Sequence, residues 1–93
     1  SFGSSSNVIK NQIVNSFILH LLQNKKKLSL IKLQEHIDNF SQKTLSESSC
    51  KRLIEKLINN KKIVYTNNTK QEVTLSSEER ERLDSIAENL MRI

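Results

Sequence analysis

Residues 44–75 read TLSESSCKRLIEKLINNKKIVYTNNTKQEVTL, and this stretch decides the fold. Its first half has apolar residues at spacings of three and four, the period of a helix with one buried face. These residues are Cys50, Leu53, Ile54, Leu57 and Ile58. Residues 63–66 are β-branched and aromatic, and residues 72–75 alternate polar and apolar, so both predict strands around a polar turn at 67–70. We therefore expect a helix followed directly by a β-hairpin.

Polar residues mark both ends of this helix. Thr44 is followed three residues later by Glu47, the capping-box pattern in which each side chain satisfies a free backbone N–H. The pair Asn59–Asn60 predicts the end, because asparagine tolerates the left-handed conformation of a helix C-cap. The helix is thus predicted to begin after Thr44 and to stop at Asn59.

Two further helices are predicted upstream. Residues 8–23 carry two adjacent rows of apolar side chains, a wide stripe typical of a helix that faces a core. The rows are Ile9, Ile13, Phe17, Leu21 and Val14, Ile18, Leu22. Residues 30–39 predict a second helix, N-capped by Ser29, with Leu30, Leu33 and Ile37 on its inner face. A short strand at 28–30 is expected to pair with the hairpin, residues 38–43 to form a loop, and Phe17 and Phe40 to add rings to the core.

The two ends of the chain differ in character. Residues 1–7 are rich in Ser and contain Gly3, so they predict a flexible tail or linker, and a start without Met is expected of a domain cut from a longer protein. Residues 76–93 predict a final helix, opened by a capping box from Ser76 to Glu79. Its apolar stripe, Leu83, Ile86, Leu90 and Ile93, must be covered either by the first helix or by a partner. The candidate partner-binding residues are Leu83, Ile86 and Leu90.

Positive charge is concentrated before residue 76. Residues 1–75 hold twelve Lys or Arg and five Asp or Glu, whereas residues 76–93 hold three and five. A basic body is the electrostatic footprint of a protein that binds a polyanion. The candidate nucleic-acid-binding residues are Lys25, Lys26, Lys27, Ser48, Lys51, Arg52, Lys56 and Lys70.

These candidates differ in the contacts that they predict. Lysines contact phosphates without reading sequence, whereas the fork of Arg52 matches a guanine edge. The hypothesis predicts one positive surface joining the Lys25–Lys27 run to Lys51, Arg52 and Lys56. The alternative is a solvated face on which Glu55 pairs with Lys51 or Lys56. The turn at 67–70 has a single cation, Lys70, which argues mildly against strong DNA binding.

The sequence predicts neither catalysis nor a cofactor. Cys50 lies on an apolar helix face, where a cysteine usually acts as a small buried hydrophobe. His20 and His36 have no partners at metal-ligand spacing, and the only glycine lies near the start of the chain. A single thiol is expected of a protein in a reducing, intracellular compartment, and no apolar run approaches membrane-spanning length. No small-molecule substrate is expected.

The order of these elements resembles the winged-helix superfamily over residues 8–93, and residues 48–65 resemble its junction between recognition helix and wing. The expected fold class is α+β: a winged helix at 8–75, with a three-helix helix-turn-helix core and a β-hairpin wing, extended by a C-terminal helix at 76–93. That extra helix is most similar to the extended winged helix in the largest, B-box-binding subunit of RNA polymerase III transcription factor IIIC.

This resemblance implies a non-catalytic module of a nuclear transcription-factor assembly at tRNA-type genes, contributing DNA association, subunit contacts, or both. The C-terminal winged helices of the replication protein A middle subunit and its telomeric relative are also similar. So are those of cullins and of the anaphase-promoting complex. Several of these domains contact proteins, so they imply the alternative of a pure protein–protein interaction module.

Overall fold

The computed structural model describes the backbone of residues 2–92 and the side chains of residues 8–92. Within this range it has four helices and one three-stranded antiparallel sheet, which confirms the α+β class. The elements are α1 (Phe2–Lys25), β1 (Lys27–Ser29), α2 (Leu30–Ser41), α3 (Glu47–Asn59), β2 (Ile63–Tyr65), β3 (Glu72–Leu75) and α4 (Ser77–Met91). Ile93, predicted to complete the stripe of the last helix, lies outside the described residues.

The sheet has the order β1-β3-β2, so the returning strand of the predicted hairpin lies in the middle. β3 pairs with β2 through Ile63 opposite Leu75, and with β1 through Lys27 opposite Thr74. The predicted short strand therefore exists, one residue earlier than expected, and pairs with the hairpin as expected. Because side chains alternate along a strand, Val73 and Leu75 of β3 both point into the core, where they are buried.

One face of each of the first three helices packs on the inner face of the sheet to form the core. Its buried apolar residues are Val14, Ile18, Leu22, Leu33, Ile37, Cys50, Leu53, Ile54, Leu57, Ile63, Val73 and Leu75. The inner faces predicted for α2 and α3 are thereby confirmed, with Leu30 and Ile58 partly buried at the edges.

The predicted apolar stripe of α1 is wider than the surface that covers it. Its row Val14, Ile18 and Leu22 is buried, whereas Ile9 and Ile13 are each more than half exposed. The rings of Phe17 and Phe40 stack with centroids 4.1 Å apart at the margin of the core, and Phe40 is 45% exposed. The expectation that both rings contribute to the core holds in part for Phe17, which packs against it, and was wrong for Phe40, whose ring is covered on one side by Phe17 and is otherwise at the surface.

The predicted loop between α2 and α3 is shorter than expected. α2 continues to Ser41 and ends with Gln42 and Lys43 in left-handed conformation, where the Lys43 N–H donates to the Asp38 carbonyl. The N-cap of α3 is Ser46, whose Oγ accepts from the Ser49 N–H at 3.2 Å.

Two predicted details of the α3 ends were consequently wrong. Thr44 is not the cap; its hydroxyl donates to the Ser41 carbonyl at 2.7 Å and closes the turn. At the other end, the left-handed residue is Lys61 rather than an asparagine, and the Lys62 N–H donates to the Leu57 carbonyl. Neither asparagine nor lysine has the freedom of glycine to adopt the left-handed conformation. The path of the surrounding chain therefore decides which of these residues adopts it.

α1 begins at Phe2, so the backbone of residues 2–7 continues the helix, although Ser and Gly there favoured a linker. Serine is only moderately unfavourable in a helix, and no proline interrupts the segment. The helix ends where Lys26 adopts a left-handed conformation with its N–H donating to the Leu22 carbonyl.

The first two turns of α4 are fastened to the domain. Ser76 is the N-cap, and its Oγ accepts from the Glu79 N–H at 3.2 Å, as predicted. The reciprocal half of the predicted capping box is absent from this helix start, because the Ser76 N–H donates to the Lys62 carbonyl instead. The Glu79 carboxylate is buried and pairs with Lys62 at 3.0 Å and with Arg82.

Two further contacts tie α4 to the end of α1. The Arg80 guanidinium donates to the Lys26 carbonyl at 3.2 Å, and the Gln23 amide donates to Asp84 Oδ1 at 3.0 Å. Leu83 packs against the core, whereas Ile86 and Leu90 are exposed. The sequence left open whether α4 packs on its own domain or on a partner. The first half of the helix packs on the domain, whereas the apolar residues of the second half are exposed.

We expect Glu79→Gln to lower the free energy of unfolding by about 1–3 kcal/mol at pH 7, because Lys62 and Arg82 lose a charged partner. Hydrogen bonds from Arg82 lower the pKa of the Glu79 carboxyl despite its burial. A lowered folded-state pKa stabilises the fold above the unfolded value of about 4.3, and this contribution is lost as pH falls through the folded value. Urea denaturation of the wild type and of Glu79→Gln, at neutral and at acidic pH, measures this contribution to the free energy of unfolding.

The difference between wild type and Glu79→Gln should therefore shrink in acid. Glu81→Gln, an exposed change on the same helix, is the control and should alter stability by less than about 0.5 kcal/mol. A Glu79→Gln effect that is equal at both pH values, or no larger than the control, would contradict the role given to this carboxylate.

Candidate functional site

α3 presents its outer face to solvent between α1 and α2. Burial of Cys50, Leu53, Ile54 and Leu57 fixes the rotation of the helix, and each residue turns the side-chain direction by about 100°. The exposed residues on the outside are Glu47, Ser48, Lys51, Arg52, Glu55, Lys56 and Asn59. Four of the candidate nucleic-acid-binding residues therefore lie on this exposed face, but they do not all point the same way.

Arg52 and Lys56 lie on the side of α3 that faces α1. They line a shallow depression of about 260 Å³ together with Asn11 and Asn15 of α1, and we call these four residues the basic flank. Among the described residues, no carboxylate lies within 4.0 Å of either cation. The depression is lined also by Ser49 and Leu53, so it combines two free positive charges with amide and hydroxyl groups and has no acidic side chain.

Lys51 lies on the opposite side of α3, facing α2. Here a groove of about 530 Å³ has an apolar floor and charged sides, and we call it the acidic groove. Its floor is formed by Leu30, Ile31, Ile54 and Tyr65, and its sides by Gln34, Glu35, Glu47, Lys51 and Glu55. Lys51 Nζ lies 3.7 Å from Glu47 Oε1, rather than pairing with Glu55 as the sequence alternative supposed.

The remaining candidate cations lie elsewhere. Lys27 stands opposite Thr74, at the end of β3 away from the hairpin turn, and its Nζ lies 3.9 Å from Glu72. Lys70 lies in the turn at the other end, in left-handed conformation. Lys25 follows Asn15 by ten residues, roughly 15 Å of helix. The structure thus distributes the candidates over four places, and their action on a single ligand stays a prediction.

Two of the candidate cations, Lys27 and Lys51, form ion pairs that bind them only weakly. The Lys51–Glu47 pair, at 3.7 Å, is largely exposed, and the Lys27–Glu72 pair, at 3.9 Å, joins an exposed lysine to a half-buried glutamate. Such long surface pairs contribute about 0–1 kcal/mol. Either lysine can therefore exchange its partner for a phosphate at small cost. Ser48 is exposed too, although its Oγ lies 3.4 Å from the capping Ser46 hydroxyl.

The cysteine and histidine side chains, which often carry out catalysis or bind metals, lie in different environments. Cys50 is fully buried in the core, as predicted, and this burial raises the pKa of its thiol while a hydrogen bond with Gln34 opposes the shift. His20 is exposed and lies 3.2 Å from the Asn24 amide. Within residues 2–92 no three His, Cys, Asp or Glu side chains are grouped to hold a metal ion, and no helix there is long and apolar enough to cross a membrane.

The acidic groove was missed by sequence reasoning. The residue that could have indicated the groove is Ile31. It lies off the inner face formed by Leu30, Leu33 and Ile37 and is 75% exposed. A lone exposed isoleucine is unremarkable in a sequence, because apolar atoms form much of any protein surface. Only the approach of α3 and Tyr65 turns it into the floor of a groove.

Comparison with known proteins assigns no family. No protein-family model, no curated protein and no solved structure matches this chain. Function must therefore be inferred from the residues themselves.

We expect the Cys50 thiol to resist modification in the native protein, because it is buried and its raised pKa keeps it protonated. Labelling with a thiol-reactive chromophore should proceed only as fast as the protein unfolds. Rates measured with increasing urea will test this.

The matched control carries Ser48→Cys together with Cys50→Ala, which moves the single thiol to the exposed side of the same helix. That thiol should react at least about a hundredfold faster under native conditions. Equal rates at the two positions would show that α3 does not bury the face described here.

Proposed function

We propose that this chain is a non-catalytic winged-helix module that binds DNA through its phosphate backbone, with α3 as recognition helix and the β2–β3 hairpin as wing. The observation that carries the proposal is the basic flank. Arg52 and Lys56 are exposed on α3, free of carboxylates among the described residues, and beside the amides of Asn11 and Asn15. These are the groups that bind phosphate oxygens in protein–DNA complexes.

The charge distribution supports phosphate contact more than base reading. The two cations of the basic flank contribute a salt-dependent attraction that is independent of sequence. Glu47 and Glu55 on the same helix repel phosphates, so they favour an approach from the α1 side. Lys70 in the hairpin turn and the run Lys25–Lys27 add further cations, and Arg52 is the residue best suited to reach a guanine edge.

The proposed biological setting rests on the resemblance of the sequence to the extended winged helix of transcription factor IIIC. That resemblance includes a helix after the wing, and α4 follows β3 with its first half tied to Gln23 and Lys26. We place the module on this basis in a nuclear RNA polymerase III transcription assembly, where DNA and other subunits are its partners.

A pure protein-interaction module is the second candidate, and one observation favours it. The second half of α4 exposes Ile86, Leu90 and Met91, to 44%, 64% and 87%. With Leu83 at the covered end, these residues form an apolar stripe that a partner helix can bury. In this alternative the surface cations contribute solubility and not DNA binding.

Fluorescence anisotropy with a random-sequence duplex at two salt concentrations tests the proposal. We expect Arg52→Ala/Lys56→Ala to weaken binding roughly ten- to hundredfold at low salt. The slope of log K against log salt should fall by about 2, because close to one counterion is released per phosphate contact. An unrelated duplex of equal length should bind with similar affinity if phosphates dominate.

The control is Lys32→Ala/Arg92→Ala, which removes the same net charge from α2 and from the end of α4. It should retain most of the binding and the original slope. If wild type does not bind the duplex at low salt, DNA association is excluded and the interaction module is left. If both double variants lose binding equally, net charge rather than the basic flank is responsible.

A further inference from the structure

The acidic groove has the opposite charge to the chain that forms it. Glu35, Glu47 and Glu55 stand on its sides with Lys51 as the single cation, although the whole chain has a net charge of +5. Lys51 Nζ lies 3.7 Å from Glu47, and Lys32 Nζ, outside the groove, lies 3.5 Å from Glu35. Both pairs are exposed, so they leave much of the negative potential in place. Glu55 has no cation within 4.0 Å among the described residues.

The floor of the groove is apolar and open. Ile31 is 75% exposed beside Leu30 and Tyr65, which are partly buried, and Ile54 closes the bottom. The groove has a volume of about 530 Å³. An apolar strip between two helices, with charge along both sides, fits the apolar face of an amphipathic helix.

We propose that the acidic groove binds a basic amphipathic helix of a partner protein. Apolar residues at spacings of three and four along that helix lie on Ile31, Ile54 and Tyr65. Lysines or arginines on either side of them pair with Glu35, Glu47 and Glu55. This inference goes beyond the proposed DNA contact and uses other residues, on the far side of α3 from the basic flank.

Charge disfavours two other occupants. Phosphates are repelled by the three glutamates, so nucleic acid favours the α1 side. The exposed α4 stripe of a second copy is flanked by Glu81, Asp84 and Glu88, and residues 76–93 are net acidic, so it does not complement the groove either. The ligand that complements the groove is therefore basic.

The test uses a fluorescein-labelled helical peptide of about 18 residues, with leucines at positions i, i+3, i+4 and i+7 and lysines elsewhere. One control peptide has every lysine replaced by glutamate, and another has the same composition in scrambled order. Anisotropy at about 150 mM salt should show binding of the lysine peptide alone. Amide NMR shifts should move for residues of the groove and not for α4.

Two protein variants locate the contact. Ile31→Ser should weaken peptide binding roughly tenfold or more, because an isoleucine side chain loses its burial in the complex. Glu55→Lys should weaken it several-fold, by charge alone. The matched controls are Leu90→Ser and Glu81→Lys, the same changes at exposed positions of α4, and they should bind as wild type does.

A charge exchange completes the test. Glu35→Lys/Glu55→Lys should gain affinity for the glutamate peptide while losing affinity for the lysine peptide. The inference is overturned if the lysine peptide does not bind, if it binds Ile31→Ser as tightly as wild type, or if Leu90→Ser weakens it equally. Both glutamates are exposed, so the charge variants decide the question even if circular dichroism shows that Ile31→Ser is unfolded.

Loss of duplex binding in Arg52→Ala/Lys56→Ala leaves the peptide result unchanged, because those residues do not line the groove. The two proposals can thus fail separately.

Discussion

Burial of Cys50, Leu53, Ile54 and Leu57 against the sheet and the other helices fixes how α3 is turned about its axis. Removing such side chains from water is the dominant stabilising contribution in a domain of this size. Once that face is buried, the geometry of the helix fixes the direction in which every other side chain of α3 points. The helix then shows Arg52 and Lys56 to α1 and Lys51 to α2, and the two sides acquire different chemistry.

This division gives one helix two independent surfaces. A polar, basic depression without acidic side chains suits phosphate oxygens. An apolar floor between glutamates suits the apolar face of a cationic helix. Because the two surfaces lie on opposite sides of α3, a ligand on one leaves the other accessible. The two ligands that we propose, DNA and a basic helix, would therefore not compete for the same side chains of α3.

Attachment of α4 depends on polar contacts more than on apolar ones. Lys26, in left-handed conformation, offers its carbonyl to both the Thr74 hydroxyl and the Arg80 guanidinium, which joins the end of α1 to β3 and α4. The buried Glu79 fastens the helix start to Lys62. Asp84 accepts from the Gln23 amide, beyond it no polar contact from α4 to the rest of the domain is described, and the apolar residues that follow are exposed.

Local periodicity determined the elements. The spacing of apolar residues placed α2, α3 and the hairpin within a few positions, because one-sided burial of a helix or strand leaves a fixed period in the sequence. The caps were less predictable: both Thr44 and Ser46 are competent N-caps, and asparagine and lysine compete for the left-handed position after α3. Such choices differ by little energy locally and are settled by how the chain must turn to reach the next element.

Sequence alone thus determined the α+β class, the helix-then-hairpin order, the inward face of α3 and the burial of Cys50. Only the tertiary structure decided which half of the wide α1 stripe is covered, how far α4 docks, and that Lys51 and Lys56 face different neighbours. It also brought Ile31, Tyr65 and three glutamates together from separate elements. The physical reason is that periodicity records whether a side chain is buried, whereas a surface is defined by which elements meet, and that depends on contacts between residues far apart in the chain.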